Sequence, residues 1–383
     1  MKNIKRSFLS ILLSVSLALL FFLPSYAASS STKTYIKFSP ELASTTAENF
    51  ALNLGGKFHA ISTTKIYTKN DQAIGYIVNL QDDNNNTGYV VFDNTQDSLI
   101  SEFSFKNSTK CGLNSASSPY TLSSSNSSTT SSLPSYKKSS FPTDSTKMYK
   151  IGPFTYEAKK SNPSSNTYRL FSSGKPTSEW NDVFVSVKTI YENYNLVKTN
   201  HLADFYTLTE DTVEEVTKHY ACAVSASYIC GSYYGANLGA IDESILKKDY
   251  MDIWSKTKTT VHHISLGITY GQTALDNITP GINSYLKSKN ISARGTYVNS
   301  PSYSEFTNTI DSKNIAMIHC GINTDKGRDG HSMAVEGYCT ISKKSDNSQI
   351  HTLMACDGWY AAVRYINLDY AYWTDYEGTF FHE

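Results

Sequence analysis

The stretch Tyr220-Ala221-Cys222-Ala223-Val224-Ser225-Ala226-Ser227-Tyr228-Ile229-Cys230-Gly231-Ser232-Tyr233-Tyr234-Gly235 reads as a helix that begins at a cysteine. Ala221, Ala223 and Ala226 favour helix. Val224, Tyr228 and Tyr234 offer apolar or aromatic side chains to a core, and Gly235 supplies a C-terminal stop. Cys222 then falls in the first turn, where backbone N–H groups without helical partners and the positive end of the dipole stabilise an anion. The nucleophilic form of cysteine is such an anion. An ordinary thiol, with a pKa of about 8.5, is only weakly ionised at neutral pH, and a helix terminus contributes at most ~2 kcal/mol, roughly one and a half pKa units. Full activation therefore asks for a histidinium beside the sulfur. The ordinary readings of the same residue are a small buried hydrophobe or, outside the cytosol, half of a disulfide.

Two residues further along answer that demand. His331 opens the run Gly330-His331-Ser332-Met333-Ala334-Val335-Glu336-Gly337-Tyr338, at the mouth of a predicted strand. Asp357 lies in Ala355-Cys356-Asp357-Gly358-Trp359, where a strand gives way to a turn. Singly, these are an unremarkable histidine and a turn aspartate. Together, a cysteine on a helix start, a histidine on a strand and a carboxylate one hairpin later make the set that nucleophilic acyl transfer requires. The thiolate attacks a carbonyl, the imidazole shares and returns the proton, and the carboxylate fixes the ring.

The surrounding chain has 383 residues, enough for two domains, and balances 34 basic against 34 acidic residues, so no charge excess points to nucleic acid or an acidic membrane surface. Residues 1–27 read as a signal peptide, with Lys2, Lys5 and Arg6, an apolar run from Phe8 to Pro24 and small residues up to cleavage near Ala27. The expected location is secreted, with no membrane partner after cleavage. Residues 28–110 read as a small α+β module: a strand at Tyr35 to Phe38, a helix at Pro40 to Leu54, and strands at Ala73 to Leu80, Tyr89 to Asp93 and around Leu99 to Phe105. In the 32 residues from Asn114 to Ser145, 14 are serine, too few apolar groups to fold, so 111–165 reads as a flexible linker. Residues 166–383 form the last domain, with helices at Asp242 to Lys256 and from Pro280-Gly281 onward. Strands follow at Ile315 to Cys320, Ser332 to Tyr338, Thr352 to Asp357 and Val363 to Asn367. Helices first and strands after is a segregated α+β layout.

Six cysteines, Cys111, Cys222, Cys230, Cys320, Cys339 and Cys356, show no C-x-x-C spacing. Cys230 reads as core, and Cys320 and Cys339 as buried or paired. His262-His263 has no metal-ligand spacing and reads as solvent-facing, Glu336 as a solvated strand residue, and Tyr370 to Tyr376 as core and rim aromatics. Neither a metal nor a cofactor is expected.

These motifs carry a resemblance. The C-terminal domain resembles the papain-like cysteine peptidases, in the branch related to the double-glycine (bacteriocin-processing) peptidase domain. The matching residues are Cys222 with Tyr233-Tyr234-Gly235, Gly330-His331 with Gly337-Tyr338, Asp357-Gly358-Trp359, and Gly281 to Leu286. The N-terminal module is similar to the propeptides of secreted streptopain-type proteases, through its alanine-rich helix and the Gly-Tyr strands that follow. The resemblance implies a papain-like fold and a bacterial thiol protease made as a zymogen, acting on protein or peptide, with Cys222, His331 and Asp357 as its triad. It also implies an N-terminal module that inhibits the cleft within the same chain. One departure stands out: the family's glutamine shortly before the cysteine is missing between Trp180 and Cys222. His219, Tyr220 and Asn181 are the candidate oxyanion donors in its place, beside the Cys222 N–H. Alternatives of other classes are a peptidoglycan-directed cysteine amidase or endopeptidase, and a non-catalytic binding protein on the same fold.

Overall fold

The computed structural model describes residues 35–105, 146–160 and 182–383, apart from positions 69, 96–98, 153–154, 205, 238–241, 325–326, 360–362 and 370–372. The expected signal peptide, Cys111, Asn181 and the serine tract lie outside the described residues.

The expected cysteine helix is there. It runs Cys222–Tyr233, with Cys222 as its first residue, Ala221 as an extended N-cap, and Gly235 just beyond the end at φ +71°. Residues 223 to 232 are all buried, so this helix has no solvated stripe and runs through the middle of a core. Tyr228 and Ile229 there meet Leu246, Tyr250 and Ile253 of the Glu243–Lys256 helix and Ile282, Tyr285 and Leu286 of the Leu275–Ser288 helix. Asp242 caps the former by accepting from the N–H of Ser244 and Ile245. The latter starts five residues before the predicted Pro280. The buried stripe Ile278, Ile282, Tyr285 and Leu286, at helical spacing, outweighs the ~3 kcal/mol that an internal proline costs.

Around these helices the chain is mixed α+β with a large, mostly antiparallel sheet. The N-terminal part gives β1 (Tyr35–Lys37), a helix Pro40–Asn53, β2 (His59–Tyr67), β3 (Ala73–Gln81), β4 (Thr87–Asp93) and β5 (Ile100–Phe105). Within the stretch expected as linker, β6 (Thr146–Gly152) and β7 (Thr155–Lys160) form a hairpin whose first strand pairs in parallel with β2. Next come β8 (Phe184–Ser186), β9 (Tyr194–His201), the Glu210–Thr217 helix and β10 (His219–Tyr220). Past the cysteine helix are β11 (Thr260–Ser265), β12 (Ile268–Gln272), β13 (Arg294–Asn299) and the Tyr303–Asp311 helix. The C-terminal strands are β14 (Ala316–Thr324), β15 (Gly327–Lys343), β16 (Gln349–Cys356), β17 (Arg364–Asn367) and β18 (Trp373–His382).

The main sheet runs β13-β18-β14-β15-β16-β17-β5-β4-β3-β2-β6-β7, with β9 also on β15. The module expected to stand apart is thus continuous with the last domain through β17 and β5, where Tyr365 faces Phe103 and Ile366 faces Glu102. One hydrophobic core spans both. It joins Phe38, Phe50, Phe92, Phe103 and Phe105 to Cys339, Ile341, Ile350, Met354, Val363 and Tyr365. β15 is buried on both faces: Met333, Val335 and Tyr338 pack toward the cysteine helix, while Cys339 and Ile341 pack into the shared core.

Glu336 sits in that strand and is fully buried, not solvated as expected. The register with β16 shifts between Val335 and Gly337, so a bulge breaks the alternation that placed Glu336 in water. Its Oε1 accepts the Tyr206 N–H at 3.0 Å, and burial pushes its pKa up to about 8.

Candidate active site

Cys222 is half-buried, and its thiol points to the Gly330 carbonyl at 4.0 Å. The residue after Gly330 is His331, buried on β15 opposite Cys320 of β14. The sheet thus brings the predicted nucleophile and histidine to one place, although 108 residues separate Cys222 from Gly330. Both line a cavity of about 590 Å³, together with Tyr220, Tyr270, Gln272, His319, Cys320 and Trp359. A larger hollow of about 1060 Å³ lies against the Leu275–Ser288 helix and β13 and includes neither residue.

The His331 ring is stacked on Trp359, with centroids 3.9 Å apart and planes 14° from parallel. Trp359 follows the turn of Asp357 and Gly358. Gly358 has φ +78°, a conformation open to glycine, and a Cβ there would come within 3.3 Å of the Tyr220 hydroxyl oxygen. Asp357 Oδ1 accepts the Trp359 N–H at 3.0 Å, which ties the turn together. Its Oδ2 accepts from the Arg364 guanidinium, and Asp357 and Arg364 are both essentially fully buried. Arg364 in turn donates to both carboxylate oxygens of Glu102, at 2.9 and 3.2 Å. Asp357 thus anchors the turn that carries Trp359, and its carboxylate is held by an arginine to which the sequence alone assigns no role.

The oxyanion candidates fare differently. Asn181 is outside the described residues. His219 makes a 2.8 Å hydrogen bond between Nδ1 and the Thr217 carbonyl, its ring meets Trp254 edge-on, and it is not among the residues that line the cavity. Tyr220 does line it, with its hydroxyl 3.5 Å from the Gly358 carbonyl, and burial raises its pKa well above the phenol range. A donor that the sequence reading missed is Gln272. β10 and β12 pair in parallel with Tyr220 opposite Tyr270, and Gln272 ends β12 two residues after Tyr270. The exposed Gln272 lines the same cavity. The residues before the cysteine carry no sign of it, because Gln272 comes from a strand later in the chain.

His319 is the other residue missed. It is buried on β14, and its two ring nitrogens lie 3.0 Å from Ser332 Oγ and 2.9 Å from Thr379 Oγ1. Burial lowers its pKa to about 4, so at neutral pH it is an uncharged bridge between strands. His262 and His263 are exposed as expected and also edge the cavity, where His263 stacks on Tyr270 with centroids 4.6 Å apart. Cys230, Cys320 and Cys356 are buried free thiols, and burial is the first cause raising the pKa of each, that of Cys356 to about 12. Among the described residues, no three His, Cys, Asp or Glu side chains converge as a metal site. No described residue before Tyr220 lines the cavity.

Neither a protein-family model nor a curated protein matches this sequence.

Proposed function

We propose that this chain is an exported, papain-like cysteine peptidase that cleaves peptide bonds with Cys222 and His331. The observation that carries this reading is the Cys222 thiol at the start of a buried helix. It shares an open cavity with a histidine whose ring is braced by a tryptophan. The helix start favours the thiolate, and the lysine- and arginine-led apolar segment at the N-terminus supports export.

In this mechanism the Cys222 sulfur bonds to the carbonyl carbon of the substrate, and the carbonyl π electrons move to oxygen. The Cys222 N–H and the Gln272 amide stabilise that oxyanion. As the tetrahedral species collapses, the C–N bond breaks and imidazolium His331 gives its proton to the leaving amine. Water then attacks the thioester carbon, His331 takes a proton from that water, and the returning thiolate leaves. Trp359 holds the His331 ring in plane, and Asp357 holds Trp359.

The test uses the full chain after signal removal, with casein as substrate and iodoacetamide as label. Expected are casein hydrolysis, lost in Cys222→Ala, and labelling of Cys222 that tracks the loss of activity. Hydrolysis retained by Cys222→Ala, or alkylated enzyme that still turns over, overturns the reading.

A further inference from the structure

A removable inhibitory prosegment needs two properties: it covers the cleft, and it parts from the domain once its tether is cut. Among the described residues, none of the N-terminal module lines the cavity around Cys222, whose lining runs from Tyr220 onward. The strands that carry the site, β14 and β15, lie in the sheet beyond β16 and β17 from β5, where the module begins.

The module is also held on several sides at once. β1 pairs with β8, and the Phe38 N–H donates to the Val183 carbonyl at 2.7 Å. β5 pairs with β17, with Asn367 Nδ2 donating to the Ile100 carbonyl at 2.9 Å and the Phe103 and Tyr365 rings stacked at 5.1 Å. The Pro40–Asn53 helix sets Phe50 edge-on against Tyr194, 5.2 Å away. On the far side, β6, which follows the serine tract in the chain, pairs with β2, and Lys150 of β6 forms a buried ion pair with Asp93 of β4. Both ends of the 106–145 stretch are thus strands of one sheet, so a cut within it leaves the two pieces interlocked.

What the module gives the site is a second carboxylate on the arginine. Glu102, fully buried on β5, takes the guanidinium of Arg364 while Asp357 holds it as well, so the arginine is gripped by two carboxylates behind the Trp359 turn. Removing Glu102 would take a carboxylate from Arg364 in a place closed to water, and the guanidinium's shift would carry Asp357 and the turn that braces His331 with it.

We propose that the N-terminal module is a permanent part of the working protein, in which Glu102 positions the catalytic turn through Arg364 and Asp357. Cutting the serine tract then yields a two-chain protein and not a released prosegment. The positioning half rests on the peptidase reading above; the two-chain half does not.

The test has two arms. In the first, a recognition sequence for a site-specific protease is inserted between Ser127 and Ser128 of the full chain and cut to completion. Both fragments are expected to elute together from gel filtration at the uncut volume and to separate only in denaturant. A module fragment eluting alone overturns the proposal, whatever the activity. In the second, Glu102→Gln is made in the uncut protein. Peptide turnover kcat should fall about tenfold or more with KM nearly unchanged, and the iodoacetamide rate of Cys222 should fall with it. Near-UV circular dichroism should be retained. A folded Glu102→Gln protein with wild-type kcat and alkylation rate overturns the positioning role. If Glu102→Gln does not fold, Glu102→Met, uncharged and of similar length, is measured in the same way at a temperature where it is folded, and its wild-type kcat and alkylation rate would count equally against the proposal. Absence of turnover in the wild type would sink the peptidase reading alone, leaving the co-elution and alkylation results to decide this one.

Discussion

The imidazole of His331 lies flat against the indole of Trp359, 3.9 Å from centroid to centroid and 14° from parallel. A ring stacked this closely is restrained against tilting, and Trp359 is itself pinned by its N–H to Asp357. Papain-like chemistry asks the imidazole to face first a thiol and then a leaving amine, so a ring held in one plane bears on both steps.

Replacing Trp359 with alanine is therefore expected to lower kcat by about tenfold to a hundredfold while KM moves little, because the loss falls on the alignment of His331. Trp359→Phe should recover part of that. Steady-state kinetics of the two variants check this, and equal losses in both would remove stacking as the cause.

Gln272→Ala should cost on the order of a hundredfold in kcat, the usual effect of deleting one oxyanion donor. Gln272→Glu should do at least as badly, since it sets a carboxylate where negative charge develops. Cys222 alkylation, which forms no oxyanion, should keep its wild-type rate in Gln272→Ala; measured side by side, the two readouts separate donor from nucleophile.

Native protein treated with iodoacetamide at pH 7 should carry label on Cys222 and spare Cys230, Cys320 and Cys356. All three are buried, with thiol pKa values raised by that burial, and Cys320 is further raised by the charge of Cys222 beside it. Peptide mapping before and after denaturation checks this. Label on Cys320 in the folded state would show the cavity floor to be open.

Stability should fall as pH rises through neutrality. Glu336, with its folded pKa raised to about 8, keeps its proton when the unfolded chain, near the ordinary carboxyl value, has released it. The folded state thus binds more protons between those two pH values, so this contribution is full in acid and is lost as pH climbs to about 8. Glu210, also raised to about 8 by burial and then by Glu214, pulls the same way. His319, lowered to about 4, acts oppositely below its unfolded value near 6.5. The window from about pH 6.5 to 8 therefore isolates the carboxyls. Glu336→Gln, a neutral stand-in for the protonated acid, should flatten part of the slope, with a melting temperature close to wild type at pH 5 and higher at pH 8. Calorimetric scans across that range check it; parallel curves would place the proton elsewhere.

The residues that the sequence disclosed are those whose signals are local. The cysteine helix was legible because alanines, a buried apolar run and Gly235 all fall within sixteen positions. His331 and Asp357 were legible through the strand and turn composition beside them. Hidden were the contributions that depend on which strands become neighbours. Arg364 and Glu102 lie 262 residues apart and meet only because β17 pairs with β5. Gln272 reaches the cavity by a parallel pairing of two short strands. Glu336 was misplaced because one extra residue in a bulge reverses the faces of everything after it. The β6–β7 hairpin was lost in a serine-rich neighbourhood, although its buried Met148 and Lys150 tie it to the sheet.

The four-residue strand β17 has one more bearing, on how the protein is handled. A recombinant fragment started after the serine tract would lose β5, baring the backbone amides of Arg364–Asn367 together with Tyr365 and Ile366, now 0% and 1% exposed. An uncovered sheet margin with greasy side chains recruits the same margin of another molecule. Such fragments should accumulate as insoluble, sheet-stacked clumps, whereas chains beginning near residue 28 should stay monodisperse.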